Sequence, residues 1–216
     1  SEQLESFTLQ TRWPDELVVT DDRSSDETLS ILATFGETAP FSVKIFQNPS
    51  TFGYAANFAH ALDRCSGDLI FLSDQDDVWF PQKIEDMEAY AMAHPCINVV
   101  MCDATLTDAS LQPLGLTKLE QIKSGRLPMT SFVMGCCAAV RREFLDIVLP
   151  MPAGYPAHDA WIVRIADATD TRAVLPKPLQ YYRRHNLNAS QFIANRTNRI
   201  TWLTVFGNKI AQTFKS

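Results

Sequence analysis

Residues 68–81 read "DLIFLSDQDDVWFP", a short apolar run that ends in three aspartates within four positions, Asp74, Asp76 and Asp77. Two like charges about 4 Å apart near a protein surface repel by roughly 4 kcal/mol. Such crowding needs compensation, either from water around a solvated turn or from a bound divalent cation. The run itself, Leu69 to Leu72, has the length and composition of a buried strand, and Pro81 then opens the helical stretch "PQKIEDMEAYAMAH".

The same alternation continues on both sides. "ELVVTDD" is a second apolar run closing in acid, at Asp21 and Asp22. "SSDETLSILATF" follows, with Ser24 and Glu27 spaced as a capping box and Leu29, Leu32 and Ala33 on one helical face. "FSVKIFQN" alternates like a strand, "GYAANFAHALDRC" is helical and stops before Gly67, and "INVVMCDATL" is a further strand. Strands separated by helices of this length predict an α/β fold, with a doubly wound, mainly parallel sheet and helices on both faces. Beyond about residue 110 the pattern loosens. A looped stretch leads to "SFVMGCCAAVRREFL", a helix begins near "HDAWIVRIADA", and strand-like "TRAVLPKPLQYYRRH" precedes a C-terminal helix. The opening "SEQLESFTLQT" reads as a helix directly before a strand. A βαβ layer places another strand ahead of such a helix, so a preceding strand is expected.

At 216 residues, 46% hydrophobic and 20% charged, the chain has the balance of a soluble globular protein with one substantial core. No apolar run approaches the roughly 18 residues of a membrane span. Five cysteines lack metal-ligand spacing, and the adjacent Cys136 and Cys137 in "VMGCCAAV" read as small buried thiols. A reducing, cytoplasmic setting follows. Charge is uneven: eight Lys or Arg and no acid follow Asp170, which leaves −14 on the first 170 residues against −6 overall. Residues 196–215 mix Arg196, Arg199, Lys209 and Lys215 with Trp202, Phe206 and Phe214. That mixture suits a helix on an anionic membrane or one packed on the acidic body, and no nucleic-acid partner is expected.

Open α/β sheets bind ligands beyond the carboxyl ends of their strands. If the two acid-ending strands are parallel, their carboxylates emerge on one edge, where hard oxygen ligands suit Mg or Mn. An EF-hand loop from Asp74 is excluded, because Trp79 stands where its glycine belongs and Val78 where an oxygen ligand belongs. Aspartate-nucleophile phosphatases carry a strand-end Asp-x-Asp-x-Val that "DQDDV" matches, but on their first strand, whereas at least two strands precede it here. The strand content also argues against the all-helical HD phosphohydrolases, despite His158-Asp159.

The order "LVVTDDRSSDETLSIL", "FGYAANFAHAL", "GDLIFLSDQDDVWFPQKI", "GCCAAVRREFL", "HDAW" and "YRRHNLNAS" resembles the family-2 glycosyltransferases of the GT-A fold, most of all bacterial rhamnosyltransferase-type members. The resemblance implies a catalytic domain over residues 1–190, lacking that family's first strand, followed by a basic amphipathic helix over 191–216. It implies that Asp22 meets the pyrimidine base of a donor nucleotide and that Gly53 and Asn57 lie beside the nucleotide. Asp74-Gln75-Asp76 corresponds to the family's DxD element, with Asp76 the direct ligand of Mn or Mg and Asp74 touching both metal and nucleotide. Asp159 corresponds to the catalytic base and His185 to a position that reaches the metal or diphosphate. For Asp159 a helix N-terminal charge is the competing reading, for Asp77 a helix N-terminal charge before Pro81 against a place behind the metal ligands, for Gly53 and Asn57 a plain helix start, for His185 a surface residue, and for Trp79 and Trp161 simple packing. The implied reaction is inverting, metal-dependent transfer of a sugar from a UDP or dTDP donor, dTDP-rhamnose first, to a glycan or lipid-linked glycan acceptor at the inner face of the cell membrane. A metal-dependent phosphohydrolase and a silent nucleotide-binding domain are the alternatives from other classes.

Overall fold

The computed structural model describes residues 1–152 and 154–184. Helix α1 (Glu2–Thr8) is capped by Ser1, carries Glu2 and Glu5 in its first turn, where acid complements the helix dipole, and buries Leu4 and Phe7. Strand β1 (Glu16–Asp21) pairs in parallel with β2 (Ser42–Gln47) through helix α2 (Thr28–Thr38), as a two-stranded sheet of its own. Helix α3 (Tyr54–Leu62) then leads to β3 (Leu69–Phe71), and the acid turn passes through the two-residue β4 (Val78–Trp79) into α4 (Lys83–Ala93). The second half comprises β5 (Val99–Thr107), β6 (Pro113–Thr117), α5 (Lys118–Ser124), β7 (Ala138–Arg141), α6 (Arg142–Val148), α7 (His158–Ala168) and β8 (Arg172–Arg183).

The larger sheet runs β3-β7-β5-β8-β4, with β6 also on β5. It is mixed rather than mainly parallel: β5 and β8 are parallel, while β3–β7, β5–β7, β5–β6 and β4–β8 are antiparallel. Antiparallel neighbours need no crossover helix. Strand β7 enters from a single 3-10 turn, Gly135–Cys137, and so runs back between β3 and β5. The core lies along β5 and β7, where Val99 to Cys102 and Ala138 to Val140 are essentially inaccessible, packed by Met87 of α4, Leu145 of α6 and Ile162 of α7. A smaller cluster joins Leu4 and Phe7 of α1 to Leu32, Trp79 and Ile84.

Three local expectations change. The Ser24–Glu27 box does not form: Ser24 N–H donates to the Asp21 carboxylate at 3.2 Å, and α2 starts at Thr28 without a side-chain cap. A capping box does form at Thr117 and Glu120, giving α5 and β6 in the stretch expected to be looped. Helix α4 begins at Lys83 rather than Pro81, whose carbonyl is taken by Thr11 N–H at 2.8 Å. The C-terminal helix and His185 lie outside the described residues. Among the described residues, no helix is long and apolar enough to cross a membrane.

Candidate active site

The end of β1 builds the first wall. Asp22 Oδ1 accepts from Phe52 N–H at 2.7 Å and Asn48 Nδ2 at 2.9 Å, and its Oδ2 accepts from Gly53 N–H at 2.8 Å. Those donors, the Phe52 N–H foremost, hold its carboxyl below the usual carboxylate range. Gly53 sits at φ 82°, a left-handed turn that favours glycine, and caps α3. Asn57, one turn on, donates to Thr20 O at 2.9 Å and accepts from Asn48 Nδ2 at 2.8 Å. Asp22, Gly53 and Asn57 are therefore one connected network, joined through Asn48 and the Gly53 N–H.

The acid turn builds the floor. Ligand atoms of Asp74, Asp77 and Cys136 all lie within 4.8 Å of one another. Burial, then the charges of Asp76 and Asp159, push the Asp74 carboxyl up to about 6. Burial, then the charge of Asp74, push Asp77 up to about 7. Asp77 is no helix-end charge: it is fully buried, and its carboxylate accepts from Gln180 Nε2 at 3.0 Å and Arg183 N–H at 3.3 Å on β8. The Asp76 backbone carbonyl accepts from Arg183 Nε at 3.0 Å. Under this layer the fully buried Lys83 donates to Cys136 O at 2.7 Å and to Gln180 Oε1, with Nζ 4.0 Å from the Trp79 ring centre.

Asp159 stands in the first turn of α7, where its Oδ2 accepts from Gly135 N–H at 3.2 Å and its Oδ1 from Ala160 N–H at 2.7 Å. Its charge reaches both Asp74 and the Tyr54 hydroxyl, whose pKa is raised by burial first and by Asp159 second. The fold thus sets Asp159, far along the chain, beside the acid turn. Neighbouring His158 is buried and stacked on Phe58 at 3.8 Å. Trp79 and Trp161 are packing residues: Trp79 is buried edge-on to Phe7, and Trp161 Nε1 donates to Val148 O at 2.8 Å.

The chemistry available here is specific. Crowded carboxyls with raised pKa values and a carboxylate-rich donor set fit a hard or borderline divalent cation, with the Cys136 thiol the softest member. Lys83, Gln180, Cys136 and Gly135 carry no spacing signal.

A family model described as Glycosyl transferase family 2 matches residues 2–148. The chain belongs to that family. Among curated relatives, it is 33% identical over 100 residues to the putative glycosyltransferase EpsE of Bacillus subtilis, covering 46% of this chain and 36% of that one. It is 35% identical over 89 residues to the dTDP-rhamnosyl transferase RfbG of Shigella flexneri, covering 39% and 31%. The chain thus spans about a third of the length of these two relatives. Among solved structures, TarS of S. aureus in complex with UDP-GlcNAc superposes with a TM-score of 0.69 at 20% identity, covering 89% of this chain and 57% of that one. The mannosyltransferase PcManGT of Pyrobaculum calidifontis, in complex with GDP-Man and Mn2+, superposes with a TM-score of 0.63 at 21% identity, covering 82% and 50%. Both likenesses establish the fold of this family-2 chain as GT-A.

Proposed function

We propose that residues 1–190 are the catalytic domain of an inverting, metal-dependent glycosyltransferase, with the basic segment 191–216 appended to it. The donor is a sugar on a pyrimidine nucleoside diphosphate, and dTDP-rhamnose is the first candidate. The relative named as a dTDP-rhamnosyl transferase supports that choice. The acceptor is a hydroxyl of a glycan or lipid-linked glycan, met in the cytoplasm at the membrane face.

The observation that carries the reading is that one turn joins the two acids: Gly135 N–H donates to Asp159 Oδ2 at 3.2 Å, and the next residue, Cys136, has its sulfur within 4.8 Å of the Asp74 and Asp77 carboxylates. A base and a cation-holding carboxylate then face one reacting centre from two sides. Asp159 accepts the proton of the acceptor hydroxyl while that oxygen forms its bond to the anomeric carbon. On the opposite side the bond from that carbon to the diphosphate oxygen breaks, so one displacement inverts the configuration. Asp74 and Asp76 are the residues that would hold Mn or Mg, and Asp77 joins them, since the ligand atoms gathered within 4.8 Å are those of Asp74, Asp77 and Cys136. A cation bound there neutralises charge on the departing diphosphate. Asp22 spends three of its roughly four acceptor positions on the loop, leaving one for a pyrimidine imide N–H.

The test is release of nucleoside diphosphate from dTDP-rhamnose, UDP-GlcNAc, UDP-Glc and GDP-Man, with Mn and with chelator. Metal-dependent release from a pyrimidine donor supports the reading. Tight nucleotide binding without any turnover would leave the silent domain instead, and release of phosphate from simple phosphoesters would leave the phosphohydrolase.

A further inference from the structure

The 3-10 turn Gly135–Cys137 touches both halves of the site with consecutive residues. Gly135 N–H donates to Asp159 Oδ2 at 3.2 Å, while Cys136 places its sulfur among the carboxylates of Asp74 and Asp77 and its carbonyl on Lys83 Nζ. Its strand, β7, is buried in the sheet between β3 and β5, so the turn leads directly into the core.

Why residue 135 is glycine follows from what surrounds it. Its φ is not left-handed, so backbone conformation makes no demand for glycine. Close approach does: a Cβ there would stand 3.1 Å from Asp159 Cβ and 3.2 Å from His158 Nε2. Neither atom can step aside as the end of a flexible chain would. His158 is pinned from the far side by the Phe58 ring, stacked at 3.8 Å and 9°, and the loop before it is tied by Tyr54 Oη donating to Pro156 O. The first turn of α7 is therefore wedged between Gly135 and α3, and a methyl group at 135 must push the turn or break the hydrogen bond.

We propose that Gly135 is a positioning residue for the transfer reaction. Its missing side chain and its N–H together fix where the Asp159 carboxylate stands relative to the Asp74–Asp77 cluster, with Cys136 as the other end of the spacer. It touches neither donor nor acceptor and acts only through Asp159. The inference rests on the reading of Asp159 as the base. A displacement of about 1 Å at a reacting group can cost on the order of 10² in rate, so a small wedge suffices.

The experiment is a double-mutant cycle in the full chain with Gly135→Ala, Asp159→Asn and the pair, reading nucleoside diphosphate release from the donor that the wild type turns over and the affinity for UDP with Mn. Gly135→Ala is expected to lower turnover by about 10–100-fold with nucleotide affinity within about twofold. The pair is expected to be no slower than Asp159→Asn alone, because a residue acting through Asp159 has nothing left to act on. Multiplying losses, a loss of nucleotide binding, or unchanged turnover in Gly135→Ala would overturn the proposal. Full turnover in Asp159→Asn would instead remove the base reading, and this inference with it. Should Gly135→Ala not fold, Phe58→Leu loosens the same wedge from the opposite wall and must show the same non-additivity with Asp159→Asn. A crystal structure of Gly135→Ala with the hydrogen bond to Asp159 intact would also overturn the proposal.

Discussion

The imidazole of His158 lies flat against the Phe58 ring, centroids 3.8 Å apart and planes 9° from parallel, and neither ring nitrogen has a hydrogen-bond partner among the described residues. Burial pushes its pKa from 6.5 down to about 4, against an upward pull from Asp159. A folded value below the unfolded one means that stability is present above pH 6.5 and lost as pH falls toward 4. His158→Phe keeps the stack and removes the titration. Relative to the wild type, this variant is expected to gain about 2 kcal/mol between pH 7.5 and pH 5. Urea unfolding of both proteins at pH 7.5, 6 and 5 checks it, and a constant difference across that range would show that the ring is not held neutral.

Lys83 is a cation with no accessible surface, held by Cys136 O, Gln180 Oε1 and the face of Trp79. Lys83→Met keeps most of the stem but strands two buried acceptors, each costing roughly 1–3 kcal/mol. It also frees Gln180, which holds Asp77 at 3.0 Å. The expected loss is about 2–5 kcal/mol of folding stability, read from the urea midpoint at constant slope. A variant as stable as the wild type would mean that the ammonium is replaceable packing.

How far the sequence carries can be judged from particular residues. Strand β5 is legible because "INVVMCDATL" is built around the apolar run Val99 to Cys102, and it is buried along nearly its whole length. Asp22 is legible because it follows an apolar strand, where a ligand edge must be, whereas Gly53 and Asn57 came only through the family resemblance and are tied to it by the Gly53 N–H and by Asn48. Strand direction was not legible, since β7 and β4 are short and carry nothing that distinguishes parallel from antiparallel pairing. Ser24 fails as a cap because the Asp21 carboxylate competes for its N–H. Cys136 and Gln180 join the acid turn only through the fold of the sheet, and no local spacing could have brought them there.

The acid turn predicts a metal affinity that depends on pH. Asp74 near 6 and Asp77 near 7 must both be ionised before they can face a cation. Binding of Mn with UDP or dTDP is expected to weaken as pH falls from 8 to 6, approaching tenfold per unit for each proton displaced. The metal-free protein shows the converse: folded pKa values above the unfolded ones stabilise it as pH falls from about 7 toward 4, and that gain is lost as pH rises again. Asp76→Asn is expected to remove most metal-dependent nucleotide binding. Calorimetry at pH 8, 7 and 6 tests both statements, and unchanged binding in the variant would take Asp76 out of the metal site.

Asp159 carries the heaviest part of the proposed mechanism. It opens a helix separate from the acid turn, is held by Gly135 N–H at 3.2 Å, and reaches Asp74 by charge. Asp159→Asn preserves the size of the side chain and an oxygen for Gly135, but its amide cannot take a proton. Transfer is expected to fall by about 10²–10⁴, the contribution of a positioned general base. Donor affinity should stay within about twofold, because the lost interaction belongs to the transition state. Removing this negative charge should also lower the Asp74 pKa, so that Mn binding in the variant persists to more acidic pH than in the wild type. Turnover and Mn–UDP binding measured on one preparation separate the roles. Full transfer would take Asp159 out of the chemistry, and loss of donor binding would move it to the metal side.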